Sequence, residues 1–229
     1  MDVKHGPTRR GTPRGSYAVG DERRTRILDT AVAHFAQLGF RGTSLARIAK
    51  DAGLTQGGLL HHFRTKEALL VSVLEASDEN DVEQFFAEEC ATVAEWFHRL
   101  VDLAAHNADR PERTRMFNAL VGESGDPEHP AHAFFTRRYR TLTADAAQSL
   151  HRGVAGGELR ADTDCPAEAR QLLAVMDGLQ LQWVLDQSVD MPGQLHAYLD
   201  RLYRALSTAG TPLPDAARAP LPDAARPRG

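Results

Sequence analysis

Apolar side chains recur along most of this chain with the spacing of an α-helix rather than that of a β-strand. Ile27, Ala31 and Phe35 are four residues apart, which places them on one face of a helix that Gly39 is expected to end. No stretch alternates apolar and polar residues convincingly, and Ile27 and Ile48 are the only isoleucines. We therefore expect an all-α protein without a sheet.

Glycines, prolines and polar stretches divide the rest of the pattern into further helices. Helices are predicted at about 21–38, 44–51 and 55–62, from Lys66 onward, and at 81–89, 92–107, 111–122, 131–155, 166–187 and 193–207. Thr43, Thr55 and Thr65 precede three of them. They are candidate N-caps, because a threonine hydroxyl can accept a hydrogen bond from a backbone N–H of the first turn.

The two ends of the chain lack helical periodicity. Residues 1–20 are rich in Gly, Pro, Thr and Arg and are predicted to be a disordered basic arm. Residues 208–229 contain the repeat Pro-Leu-Pro-Asp-Ala-Ala-Arg at 212–218 and 220–226, which predicts a stiff, Pro/Ala-rich tail. The chain therefore divides into this arm, a first domain at 21–66, a second at 67–207, and the tail.

Composition is that of an ordinary globular protein, but its charge is unevenly distributed. Of the 229 residues, 42% are hydrophobic, yet no apolar run could cross a bilayer and no secretion signal is seen, so we expect a cytoplasmic protein with no membrane partner. Cys90 and Cys165 are expected to be free thiols. Residues 1–66 carry 12 Lys and Arg against 5 Asp and Glu, whereas residues 67–229 carry 15 against 26. A basic segment on an acidic body favours binding of a polyanion, although a basic arm that binds nothing is the competing interpretation.

Residues 44–63 have the pattern of a helix-turn-helix. Ile48 on the first short helix would face Leu59 and Phe63 around the second, and Gly53 would form the tight turn where a side chain would obstruct the helix crossing. In such a unit the start of the second helix faces the base edges of the DNA major groove.

This placement identifies the candidate DNA-contacting residues. Thr55 and Gln56 should reach bases, and Gly57 and Gly58 should let the backbone approach the DNA closely. The candidate phosphate-binding residues are the helix start near Thr43 together with Arg47, His61, His62 and Lys66. For the two histidines, simple capping of a short helix is an equally good interpretation.

The run Phe40-Arg41-Gly42-Thr43-Ser44-Leu45-Ala46-Arg47-Ile48-Ala49-Lys50-Asp51-Ala52-Gly53, followed by Leu59-Leu60-His61-His62-Phe63-Arg64-Thr65-Lys66-Glu67-Ala68-Leu69-Leu70, resembles the DNA-binding domain of the TetR (tetracycline-repressor-like) family. The resemblance covers about residues 21–70. It implies a three-helix DNA-binding domain joined to a larger helical domain for ligand binding and dimerisation. The family's usual base and phosphate contacts match Thr43, Thr55, Gln56, Gly57, Gly58, His62 and Lys66. Leu60 stands where the family usually has a tyrosine that touches a phosphate, so this contact should be absent or supplied by His61.

The body of the chain suggests a homodimer. The helix at 166–187 is apolar on all sides and needs cover, and the helix at 193–207 is amphipathic. Candidate interface residues are Leu172, Leu179, Trp183, Leu195, Tyr198 and Leu202. Two recognition helices about 34 Å apart would match successive major grooves of a palindromic operator.

Large side chains of the body are candidates for lining an effector pocket. They are Trp96, Phe97, Met116, Phe117, Phe135, Tyr139, Met176 and Trp183, and packing within the core is the competing interpretation for each. The pattern thus predicts a regulator, most simply a repressor, that leaves its operator when a small apolar or amphipathic effector binds. The alternative is a helical small-molecule carrier or sensor whose DNA-reading head is degenerate.

Motifs for catalysis and for cofactors are not found. The chain has no phosphate-binding loop, no dinucleotide fingerprint and no zinc-protease motif, so we expect neither an enzyme nor a cofactor. His129 and His132 have a spacing compatible with a metal ion, but they flank Pro130 in a predicted loop and ten histidines can produce such a pair by accident. We expect no metal site.

Overall fold

The computed structural model describes residues 14–215, with side chains from residue 21 onward, and their regular structure is helical. The helices are α1 (Arg14–Gly42), α2 (Leu45–Asp51), α3 (Gln56–His62), α4 (Lys66–Phe86), α5 (Val93–Ala108), α6 (Pro111–Glu123), α7 (His132–Ala155), α8 (Cys165–Leu185) and α9 (Met191–Leu206). Within the described range the one β-type pairing is an isolated antiparallel bridge between Leu159 and Ser207. The expected all-α class is confirmed.

Helix α1 differs from its prediction at both ends. Its backbone begins at Arg14, inside the predicted arm, whose first 13 residues lie outside the described range. Gly39 interrupts the helix with φ 62° and ψ −174°, but helical turns resume and continue to Gly42. The glycine therefore makes a kink and not an end, because it adopts a conformation that other residues avoid.

Helix α4 is one element of 21 residues, so the separate helix predicted at 81–89 is wrong. The polar run Asp78-Glu79-Asn80-Asp81 suggests a break, but it continues the helix. Two of these carboxylates pair across to other helices: Asp78 accepts from Arg138 at 2.8 Å, and Asp81 accepts from Arg113 at 2.5 Å. Long-range ion pairs thus account for polar residues in the middle of a packed helix.

Two hydrophobic cores hold the helices together. In the second core, α5 packs against α9, and the end of α7 packs against α8. The first core joins α1 to α4 and also includes residues of α6 and the start of α7, among them Met116, Leu120 and Phe135. We call residues 21–65 the head and residues 66–207 the body. The head's core extends past the predicted boundary at residue 66 into the body.

The start of the predicted tail packs against the body. Leu213 is buried, and its N–H donates to Asp200 at 2.9 Å. The carbonyl of Pro214 lies 2.8 Å from His98 Nε2. Residues 216–229, with the second copy of the repeat, lie outside the described range. Between residues 14 and 215, none of the helices combines the length and apolarity that a membrane span requires.

Candidate nucleic-acid interface and effector cavity

Helices α2 and α3 form the predicted helix-turn-helix around a small buried core. Ile48 and Leu59 are fully buried, and Phe63 closes the end of α3 with its ring also buried. Gly53 makes the turn with φ 71°, and its N–H donates to the Lys50 carbonyl at 3.0 Å. A Cβ atom at Gly53 would meet no atom within 4 Å, so the predicted steric reason for this glycine is wrong. The turn needs glycine because of its positive φ.

The start of α3 presents its polar residues to solvent. Thr55, Gln56 and Gly57 are exposed, and the Thr55 hydroxyl accepts a hydrogen bond from the Gly58 N–H at 3.1 Å. The cap predicted at Thr55 is therefore confirmed. Leu60 is 37% exposed on the same helix and has no polar group that could bind a phosphate. The surface that would enter a groove thus contains one long polar side chain, Gln56, between small residues.

Three of the predicted phosphate-binding side chains surround this surface. Arg47 on α2 and His61 on α3 are exposed, and His62 is half-buried. The two imidazole rings meet edge to face with centroids 5.8 Å apart. Both rings lie near the end of α3, a position that serves capping and phosphate binding equally well.

Thr43 does not have the predicted role. It is 4% exposed, and its hydroxyl lies within hydrogen-bond distance of the carbonyls of Gly39, at 2.7 Å, and His34, at 3.2 Å. Ser44 is the N-cap residue of α2 and makes no side-chain cap bond. The predicted cap is therefore wrong, because the Thr43 hydroxyl stabilises the end of α1 from inside. The phosphate contact predicted for the backbone N–H groups at the start of α2 does not depend on this hydroxyl and stays a prediction.

Lys66 has an internal role that its sequence position did not predict. Its ammonium group donates to the carbonyls of Phe40 at 2.9 Å and Thr43 at 3.1 Å, and it lies 4.3 Å from the centroid of the Phe40 ring. A lysine has three N–H donors, so one is left for a phosphate. Lys66 thus ties the start of α4 to the segment between α1 and α2.

Other cations of the head were not singled out from the sequence. The guanidinium of Arg24 lies 5.2 Å from the centroid of the Phe63 ring, beside the end of α3, and Lys50 and Arg64 are exposed. The basic run Arg23-Arg24-Thr25-Arg26 in α1 was a signal for this surface. These side chains extend the positive charge around the exposed face of α3.

Glu123, at the end of α6, joins the body to the kink of α1. Its Oε2 accepts a hydrogen bond from the Phe40 N–H at 3.1 Å and lies 3.3 Å from Nε2 of the buried His129. The His129 ring also packs edge to face on the Phe40 ring. No local sequence signal indicates this link, because Glu123 and Phe40 are 83 residues apart.

A cavity of about 860 Å³ lies in the body between α4, α5, α6, α7 and α8. Four of the eight predicted pocket residues line it: Trp96, Phe117, Tyr139 and Met176. The other four do not: Met116 and Phe135 are buried in the first core, and Phe97 and Trp183 are buried in the second. Helical periodicity shows that a residue is buried, but not whether its neighbour is a side chain or a cavity.

Comparisons with known proteins identify the family of this chain. Residues 27–73 match the family model described as "Bacterial regulatory proteins, tetR family". Residues 93–207 match the model described as "BetI-type transcriptional repressor, C-terminal". The chain belongs to the TetR family. It is a helix-turn-helix, DNA-binding transcriptional regulator.

Individual TetR-family proteins resemble it over most of their length. The regulator TtgR of Pseudomonas putida is 26% identical over 190 residues, which are 78% of this chain and 89% of TtgR. UidR of Escherichia coli is 26% identical over 157 residues, which are 68% of this chain and 79% of UidR. The structure of a SmeT–triclosan complex has a TM-score of 0.76 at 21% identity, covering 88% of this chain and 100% of that one.

The predicted dimer residues of this TetR-family chain are mostly inside its own body. Leu172, Trp183, Leu195 and Leu202 are buried in the second core, and the half-buried Leu179 and Tyr198 pack against it. Four of the six side chains are thus occupied within one protomer, which corrects the predicted set. The exposed large apolar residues of α8 are Leu181 and Leu185, 50% and 80% exposed.

The two histidines flanking Pro130 have protein partners. His129 Nδ1 accepts a hydrogen bond from the Ala131 N–H at 3.2 Å, and His132 Nδ1 lies 2.9 Å from the Ser124 carbonyl oxygen. Across residues 14–215 no group of three or more His, Cys, Asp or Glu side chains is arranged to hold a metal ion. The pair serves the packing of the loop between α6 and α7.

Proposed function

We propose that this TetR-family protein is a homodimeric repressor that binds a palindromic operator and leaves it when a small molecule fills the body cavity. The observation that carries the proposal is the exposed start of α3, held on a fully buried scaffold and surrounded by cations. A palindrome suits it because a two-fold dimer presents two such helices to successive major grooves. An operator on the bacterial chromosome would place its action in the cytoplasm.

The DNA contacts divide into base reading and positioning. Gln56 is the residue able to pair with a base through two hydrogen bonds, the exposed Thr55 is also proposed to reach a base, and Gly57 and Gly58 let the helix approach closely. Arg47, His61 and His62 are proposed to bind phosphates, with the remaining donor of Lys66. Because few side chains can read bases, DNA shape should contribute much of the sequence preference.

A stripe along α8 is the proposed centre of the dimer. Ala174, Gly178, Leu181 and Leu185 are spaced at three or four residues and therefore share one face of the helix. Ala174, Leu181 and Leu185 are exposed, and Gly178 has no atom within 4 Å of a Cβ position. Small and apolar residues let two α8 helices approach closely. The proposed partner is therefore a second copy of this chain.

Helix α6 connects the cavity to the head. Thr114 and Phe117 line the cavity, whereas Met116 and Leu120 belong to the head's core. An effector that displaces α6 would therefore act on both, and the coupling energy between effector and DNA would be about 1 to 3 kcal/mol, as in other allosteric systems. SmeT, a protein of similar fold, has a structure described as a complex with triclosan, which supports a small-molecule effector for this chain.

The test begins with the operator, located by mapping bound sites across the genome. A labelled operator and an unrelated duplex are titrated with the protein at physiological salt. Gln56→Ala should lower the preference at one operator position by about 1 to 3 kcal/mol, and Gln187→Ala, an exposed glutamine after α8, is the matched control. Equal affinity of the native protein for both duplexes would contradict the proposal and favour a carrier with a degenerate head.

A further inference from the structure

The charges on the cavity wall are unequal in number and in pairing. Its four arginines each pair with a carboxylate of the wall: Arg113 with Asp81 at 2.5 Å, Arg138 with Asp78 at 2.8 Å, Arg152 with Glu89 at 3.2 Å and Arg137 with Glu75 at 3.7 Å. Among the described residues, four more carboxylates of the wall make no such pair: Glu79, Glu88, Asp145 and Asp177. The wall therefore has an excess of negative charge, with no arginine left over for an anion.

Asp177 is the best placed of these carboxylates. It lies on α8, where the Tyr139 hydroxyl of α7 donates a hydrogen bond to its Oδ2 at 2.8 Å. Partial desolvation raises the pKa of the Asp177 carboxyl and that of Tyr139, which therefore remains a donor, although the nearby Arg138 lowers both. Asp177 is nevertheless exposed, so a ligand can reach it, and a carboxylate with one hydrogen-bond donor can accept further charge-assisted hydrogen bonds from a cation.

The rest of the wall suits a ligand that has apolar groups as well as a positive charge. Phe86, Trp96, Leu173 and Met176 line the same cavity. Aromatic faces attract cations as well as hydrocarbon, and the guanidinium of Arg138 already lies 4.5 Å from the centroid of the Phe117 ring. A volume of about 860 Å³ lies within the usual range for pockets that enclose drug-sized ligands.

We propose that the effector is an amphipathic monocation, with Asp177 as the residue that recognises its positive charge. The inference rests on the proposed function only in taking the cavity as the effector site. A fatty acid or an acyl phosphate would meet the excess of carboxylates without a free arginine. A neutral apolar ligand would leave those carboxylates without a counter-charge.

Binding is measured by calorimetry without DNA, using decylammonium, decanol and decanoate below their micellar concentrations. These probes share one chain and differ in charge. Decylammonium should bind at least about tenfold more tightly than either of the others, given the strength of charge-assisted bonds. Asp177→Asn, which keeps an acceptor for Tyr139, should weaken decylammonium about tenfold to hundredfold and change decanol by less than about twofold.

Two controls separate charge recognition from folding. Asp177→Glu should keep the preference for the cation, and Asp186→Asn, at the end of α8 outside the cavity wall, should bind all three probes like the native protein. Equal or weaker binding of the cation, or an unaltered cation affinity in Asp177→Asn, would overturn the inference. A cation that binds through Asp177 but leaves operator affinity unchanged would support this site and contradict the proposed effector function.

Discussion

Gly39→Ala should be among the most destabilising small substitutions in the head. With φ 62° and ψ −174°, the residue lies in a region that is essentially restricted to glycine, where alanine costs about 1 to 3 kcal/mol. A Cβ atom there would also collide with the Glu123 carboxylate. Moving Glu123 away sacrifices its hydrogen bond from the Phe40 N–H, about 1 kcal/mol when discounted for a side chain that is 36% exposed. The expected loss of unfolding free energy is about 2 to 4 kcal/mol.

Urea unfolding at one fixed protein concentration would measure this loss, because the stability of a dimer depends on concentration. The variants are Gly39→Ala, Glu123→Ala and the double variant. If the collision contributes, the double variant should be less destabilised than the sum of the two single variants. Gly57→Ala is the control, because its Cβ would meet no atom within 4 Å, and helix propensity should make it up to about 1 kcal/mol more stable.

Two results would refute this reasoning about the kink. Native-like stability of Gly39→Ala would show that the backbone there accepts other residues. An equal cost of Gly39→Ala with and without Glu123 would show that the carboxylate yields freely, and that Glu123 does not hold the head to α6.

Two further predictions concern the head and the dimer. Lys66→Met should lower the unfolding free energy by about 2 to 4 kcal/mol, since it leaves the carbonyls of Phe40 and Thr43 without their charged donor, and it should reduce the salt dependence of operator binding by at most one phosphate contact. Urea unfolding and a salt titration measure the two effects, and a large drop in the salt slope with native stability would contradict the internal role. Leu181→Glu should shift the protein toward monomer in analytical ultracentrifugation, whereas Leu38→Glu, at an exposed leucine of the head, should not; an unaltered dimer would exclude the α8 stripe.

The sequence predicted local features of the head well because short-range chemistry determines them. Helices α2 and α3 begin and end within one residue of their predicted positions, and the Thr55 cap and the Gly53 turn were correctly located. Each depends on residues within one turn of chain. The same local reasoning was wrong at Thr43, where the hydroxyl bonds back into α1 instead of forward into α2.

Features that depend on distant residues could not be predicted in this way. Nothing near Trp183 or Met116 in sequence indicates that both pack into cores, while Phe117 faces a cavity. The exposed stripe of α8 was hidden because a helix that is apolar on all sides gives no preferred direction. The packing of α6, α7 and α9 against α8 determines which side remains open.

Phe40 is hydrogen-bonded to two helices of the body. Its N–H donates to Glu123 of α6, and its carbonyl accepts from Lys66 of α4, which also binds the Thr43 carbonyl just before α2. Because α6 contributes to the cavity wall and α4 supplies several of the wall's carboxylates, a ligand there contacts both helices. A displacement of α6 relative to α4 would therefore strain the hydrogen bonds at Phe40, three residues before the Thr43 carbonyl that precedes the DNA-binding unit. The distance between two such units in a dimer would change with them, and that distance determines whether both can enter one face of DNA.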